Sequence, residues 1–84
     1  MRIKVAVVGG GSWGTTVAHL ASDHVPTVLW ARRDDLADEV NSRHTNERYL
    51  PGHQLNPALR ATTDLAHAVA EADVLVMGVP SQGF

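Results

Sequence analysis

Apolar positions in this 84-residue chain fall into short runs divided by glycine, proline and charged clusters. Ile3 to Val8 (IKVAVV) is β-branched and nearly continuous, as in a strand covered on both faces of a parallel sheet. Gly9-Gly10-Gly11-Ser12 breaks it. From about Trp13 to Ser22 the period changes, and Trp13, Val17, Leu20 and Ala21 form one helical stripe. Val25-Pro26 stops that helix, and Thr27 to Ala31 (TVLWA) reads as a second strand. Asp34 and Asp35 stand where a helix should start, since carboxylates there complement the helix dipole. Leu36, Ala37 and Val40 give that helix its inner face, and Asn41 to Arg43 let it end.

His44 to Leu59 is polar, with turn signals at Pro51-Gly52 and Asn56-Pro57. It reads as an irregular but ordered segment with room for one short helical turn. Arg60 to Thr62 suits a short third strand. Thr63 or Asp64 caps a helix reaching Ala72, with Leu65, Ala68, Val69 and Ala72 turned inward. Asp73 to Val79 (DVLVMGV) is a buried fourth strand, followed by Pro80 to Phe84. Strands and helices alternate throughout, which predicts an α/β fold with right-handed crossovers. No repeat or low-complexity tract interrupts it. The pattern stops after a strong strand with no helix to cover it, whereas a complete doubly wound sheet has two such halves. The expectation is one partial domain over residues 1–84: the N-terminal, four-stranded, incomplete part of a Rossmann sheet.

Composition narrows the picture. With 44% hydrophobic and 19% charged residues the chain is globular rather than disordered. A net charge of −2 offers no basic surface for nucleic acid or an anionic membrane. The absence of cysteine removes disulfides and thiolate metal sites. The opening apolar run is too short for a signal peptide, and no run approaches the roughly 18 residues of a membrane span. A soluble protein of the reducing cytoplasm is expected.

Gly9-Gly10-Gly11-Ser12-Trp13-Gly14 fits G-x-G-x-x-G between a strand and a helix, the context in which that pattern carries meaning. Gly9 permits the tight turn, Gly11 lets a pyrophosphate approach the backbone, and Gly14 lets the helix pack on the strand. The helix start offers unpaired N–H groups and partial positive charge to a phosphate. Ser12 can cap that start or donate to a phosphate oxygen. Trp13 has two readings, as the first member of the core stripe or as a wall of the cofactor site. After the second strand, at roughly 20 residues from Gly9, NAD-specific proteins carry an acid for the ribose 2′-hydroxyl. Here Arg32 and Arg33 stand there. Two guanidinium groups suit a 2′-phosphate, which favours NADP over NAD. The competing reading pairs them with Asp34 and Asp35 in solvent, and a slightly later strand end would bring Asp34 to the ribose instead.

Other polar residues are not promoted. His19, His24, His44, His53 and His67 show no metal-ligand spacing. Lys4 lies within the first strand, away from the expected site. Asp64, Glu71 and Asp73 read as cap and surface charges. No catalytic or metal-binding residue is expected.

These residues resemble the NAD(P)-dependent glycerol-3-phosphate dehydrogenases. GGGSWGTTVA is similar to that family's cofactor turn and LWARR to its second strand. Asn41, His44, Asn46, Tyr49, Leu50 and Pro51 match its N-x-x-x-H-x-N-x-x-Y-L-P segment, and ATTDLAHAVAEADVLVMGVPSQGF resembles the stretch ending in Gly-Val-Pro-Ser. Gly10 departs from the commoner alanine, and Asn56 stands where proline is common. The resemblance implies cofactor contacts at Ser12, Trp13, Arg32, Arg33 and Tyr49. Val79, Pro80 and Ser81 would lie beside the switch point where the cofactor crosses, and Pro80 is counted with the site. It further implies hydride transfer between NAD(P)H and dihydroxyacetone phosphate or glycerol 3-phosphate, serving phospholipid synthesis. The catalytic lysines and the substrate domain would lie beyond residue 84. Two alternatives remain open: another Rossmann nicotinamide enzyme, related to ketopantoate reductases or sugar-nucleotide dehydrogenases, and a dinucleotide-binding module without activity.

Overall fold

The computed structural model describes residues 3–9 and 11–77. Within them β1 (Val5–Val8), α1 (Ser12–Ser22), β2 (Thr27–Trp30), α2 (Asp34–Arg43), β3 (Arg60–Thr62), α3 (Leu65–Ala70) and β4 (Val74–Met77) alternate. The strands form one parallel sheet in the order β3-β2-β1-β4. The chain runs outward from β1 through β2 to β3, then returns to place β4 on the other side of β1. That reversal is a topological switch point.

Alternation along the strands feeds two cores. Val5, Val7 and Leu29 pack with Ala18, Ala37 and Val40, so α1 and α2 cover one face. Ala6 and Val28 pack with Ala68, so α3 covers the other. Leu55 and Leu59 of the segment between α2 and β3 enter the first core. That segment is ordered by an antiparallel bridge between Thr45 and Gln54 and by hydrogen-bonded turns, not by a helix. It is tied down at both ends. Asn41 pairs with Ala61 through both its amide groups, at 2.8 Å each, as a neighbouring strand would. His44 closes α2 in the left-handed region at φ 59, where His is among the more tolerant non-glycine residues.

Several expectations need correction. β1 begins at Val5 rather than Ile3, β2 ends at Trp30, and α3 ends at Ala70. Lys4 therefore precedes β1. Its Nζ pairs with Glu71 Oε1 at 2.8 Å, and its backbone N–H donates to Asp73 Oδ2. Glu71 and Asp73 are the surface charges expected, and they also stitch Lys4, just before β1, to the α3–β4 turn. Lys4 draws the Glu71 carboxyl below the usual range, by hydrogen bond first and charge second.

The α1 stripe holds only in part: Val17 packs against the core and Ala21 is half-buried. Trp13 and Leu20 are 59% and 58% exposed, and the buried residues are Gly14, Thr15 and Ala18. Small side chains let the helix axis approach β1 closely, so closeness rather than size selects the inner face. In α3 only Ala68 is buried, while Leu65 and Val69 stay half exposed. β4 is exposed at Val74, Leu75 and Met77, since α3 packs over β1, β2 and β3, and no described strand pairs its outer edge.

Candidate functional site

Register brings the candidate residues to one end of the sheet. Val8 aligns with Trp30 on one side and with Met77 on the other. The segments following β1 and β2 therefore leave at the carboxyl end, with the glycine turn at the switch point. Open α/β sheets bind ligands in that position.

The turn depends on glycine at two places for different reasons. Gly9 adopts φ 120, which a side chain rarely tolerates. Its N–H donates to Trp30 O at 2.9 Å, tying the turn to β2. Gly14 is buried, and a Cβ there would run into the backbone carbonyl of Gly9. Gly11 differs: its φ of −72 is ordinary, and a Cβ on it would meet nothing within 4 Å among the described residues. Protein packing therefore does not require glycine at Gly11, whereas a ligand lying against the backbone would.

Gly11 is the N-cap of α1, with no side-chain cap and no acid in the first turn. The first N–H groups of a helix have no partner within it, so this 11-residue helix presents free donors and positive potential at the switch point. Ser12 is the first helical residue rather than the cap. It is exposed, and its hydroxyl makes no hydrogen bond among the described residues. Trp13 beside it is exposed as well, which removes the core-packing reading.

Beyond β2, Arg32 is exposed and makes no ion pair among the described residues. Arg33 is the N-cap of α2, and Asp35 holds it in a two-point clasp: Nε to Oδ1 at 3.0 Å and Nη2 to Oδ2 at 2.9 Å. Asp35 Oδ1 also accepts the Leu36 N–H at 2.9 Å. The clasp raises the Arg33 pKa, chiefly through the hydrogen bond and then through charge, and the Tyr49 phenol adds a smaller push. The same hydrogen bond pulls Asp35 down to about 2. The competing sequence reading thus holds for Arg33 with Asp35, and Asp34 makes no ion pair among the described residues.

Tyr49 is 42% exposed on the irregular segment, near enough to Arg33 to influence it electrostatically. What holds that segment against α1 is a pair of residues that the sequence reading left without a structural role. Asn46 and Thr15 are fully buried, and Asn46 Nδ2 donates to Thr15 Oγ1 at 2.8 Å. Glu39 Oε2 ties down the residues on either side of Asn46 by accepting from the Thr45 hydroxyl at 2.7 Å and from the Glu47 N–H at 2.8 Å. The first turn of α1 is thereby braced from behind. Only the family-like motif marked Asn46; periodicity could not, because a buried amide in a polar segment looks like a loop residue. The Arg33–Asp35 clasp was open to detection as R-x-D at a helix start.

Gly10, Val79, Pro80 and Ser81 lie outside the described residues. Among the described residues no group of three metal-ligating side chains converges, and no helix is long and apolar enough to cross a membrane. His19 has a local partner, its Nδ1 accepting the Asn56 N–H at 2.9 Å.

A strand, a glycine turn and an uncapped helix at the switch point of a parallel sheet define a Rossmann-type dinucleotide-binding unit. The family model for the NAD-dependent glycerol-3-phosphate dehydrogenase N-terminus matches residues 4–84, and the chain belongs to that family. It is 56% identical over 84 residues to a glycerol-3-phosphate dehydrogenase (NAD(P)+) 2 of Sphingopyxis alaskensis, covering 100% of this chain and 25% of that protein. It is 54% identical over 82 residues to the Mycobacterium avium glycerol-3-phosphate dehydrogenase (NAD(P)+), covering 96% and 24%. The solved glycerol-3-phosphate dehydrogenase of Saccharomyces cerevisiae superposes with a TM-score of 0.87 at 31% identity, over 98% of this chain and 27% of that one. The chain thus spans about a quarter of the length of the relatives it matches.

Proposed function

We propose that these 84 residues are the cofactor-binding portion of an NAD(P)-dependent glycerol-3-phosphate dehydrogenase, with catalytic and substrate-binding parts outside them. The observation that carries the reading is the convergence at one sheet end of an uncapped helix start, a Gly11 open to approach, and two arginines. The relatives' names supply the reaction class.

In this reading Gly9 and Gly14 hold the turn in shape, and the first N–H groups of α1 with the Ser12 hydroxyl take the pyrophosphate. Trp13 and Tyr49 offer exposed aromatic faces to the bound nucleotide. Arg32 and Arg33 bind the adenosine end, and their charge favours a 2′-phosphate, hence NADP over NAD. Pro80 would border the cofactor after β4. When bound, the nicotinamide supplies hydride to dihydroxyacetone phosphate or removes it from glycerol 3-phosphate. The chain contributes grip and orientation, and no residue in it is assigned a proton transfer.

The test has two parts. Calorimetric titration of the chain with NADP+ and NAD+ should give binding, tighter for NADP+. NADPH oxidation with dihydroxyacetone phosphate should appear in a longer protein carrying this segment and not in the chain alone. A chain that binds neither nucleotide overturns the site. A longer protein inactive with both NADPH and NADH overturns the reaction.

A further inference from the structure

The two arginines after β2 are not equivalent. Both are exposed, yet Arg32 makes no ion pair among the described residues, while Arg33 is clasped by Asp35. The clasp uses Nε and Nη2, one whole edge of the guanidinium, against both carboxylate oxygens. That edge is one of the two pairs of parallel donors on the guanidinium that a phosphate can take, so the clasp leaves only the Nη1/Nη2 end open. Asp35 is not a loosely swinging partner, because its Oδ1 is also bonded to the Leu36 N–H in the first turn of α2. The pair stays open to solvent, with the Arg33 and Asp35 side chains 54% and 68% accessible, so an incoming anion can reach it.

We propose that Asp35 is a specificity-determining residue: a resident anion on Arg33 that a 2′-phosphate must displace or share, and that lowers the preference for NADP over NAD below what two free arginines would give. This rests on the reading of Arg32 and Arg33 as the adenosine-end site. NAD carries no 2′-phosphate, so it meets the clasp intact and loses nothing to it. Asp35 thus levels the two affinities. The Asp35 carboxyl is ionised throughout the neutral range, so pH does not open the clasp there and only another anion does. Exposed ion pairs contribute little, so the effect of releasing this one is modest, about two- to fivefold in affinity.

The experiment measures dissociation constants for NADP+ and NAD+ by calorimetry on a full-length protein carrying this segment and on its Asp35→Asn, Asp35→Ser, Arg33→Ala and Arg33→Ala/Asp35→Asn variants. Asp35→Ser keeps a side-chain oxygen at the helix start, and circular dichroism confirms that each variant is folded. The expected result is two- to fivefold tighter NADP+ binding in both Asp35 variants, NAD+ changed by less than twofold, and no gain when Arg33 is absent. Unchanged NADP+/NAD+ ratios in both Asp35 variants, with Arg33→Ala still weakening NADP+, overturn the role of Asp35 and leave the site standing. An Arg33→Ala variant that binds NADP+ as the parent does overturns the site reading itself, and this inference with it. A gain that persists in the double variant assigns the effect to general charge and also overturns the clasp.

Discussion

A single methyl group distinguishes two glycines of the turn that look alike in sequence. At Gly14 the added Cβ would overlap the Gly9 carbonyl, a backbone atom that cannot rotate aside. Alanine would gain about 1 kcal/mol over glycine from helix propensity. Forcing α1 off β1 costs about 1–3 kcal/mol on overpacking precedent, and backbone contact belongs at the upper end. The net expectation for Gly14→Ala is a loss of about 1–2 kcal/mol. A chain of this size has about 4–13 kcal/mol in all, and with a urea slope of about 1 kcal/mol/M the midpoint falls by about 1–2 M. At Gly11 the backbone is ordinary and the space open, so Gly11→Ala should keep stability within about 0.5 kcal/mol. On the proposed placement of the pyrophosphate, the added methyl would obstruct the approach and should weaken NADP+ at least about tenfold, equivalent to about 1.4 kcal/mol. Urea unfolding and calorimetry on both variants check this. A Gly14→Ala chain as stable as the parent would refute the packing argument. A Gly11→Ala chain that binds NADP+ normally would refute the placement of the pyrophosphate.

Thr15→Val removes the buried acceptor of Asn46 Nδ2 and should cost about 1–3 kcal/mol by thermal or urea unfolding; a change below about 0.5 kcal/mol would mean the brace contributes little. Asn56→Pro restores the residue common in the family but loses the N–H given to His19 Nδ1 and the amide given to Asp23 Oδ1, so a fall of about 1–2 kcal/mol is expected, and an unchanged midpoint would count against it. Asp35 is held at about 2, below its ordinary 3.8. Its folded-state pKa is depressed, so its contribution is present above about pH 4 and fades as pH falls toward 2; carboxyl NMR titration of Asp35 near 4 would contradict the clasp. Val74, Leu75 and Met77 expose apolar surface on an edge strand, so the chain should self-associate in sedimentation, and Leu75→Lys with Met77→Glu should reduce this; a monodisperse parent chain would refute it.

Topology was legible because strand and helix periods differ and glycine, proline and aspartate mark the joins; every element appears within a few residues of its expected place. Burial was less so, for physical reasons seen at particular residues. The α1 stripe weighted Trp13 and Leu20 by their size, yet a helix drawn close by Gly14 turns Thr15 and Ala18 inward. Partners distant in sequence left no periodic trace: Thr15 with Asn46, Asn41 with Ala61, His19 with Asn56. The Asn56 departure illustrates this. Read alone it suggested little, but its N–H is a donor that proline lacks, and the acceptor is a histidine on another element.

β4 marks the remaining gap between pattern and structure. A continuous apolar run describes the surroundings a strand suits, whereas exposure describes the neighbours it has. Leu75 aligns with Ala6, on the face that α3 covers, yet it is 50% exposed because α3 packs over β1, β2 and β3 instead. Val76, aligned with Val7, does join the α1 core. The strand is therefore anchored at Val76 alone, exposed at Val74, Leu75 and Met77, and its outer edge is unpaired among the described residues. The glycine turn lies away from that unpaired edge, since Gly9 follows β1 and bonds to β2. Loosening β4 should accordingly disturb the glycine turn less than loosening β2 would, and amide exchange should show the Gly9 N–H better protected than those of β4.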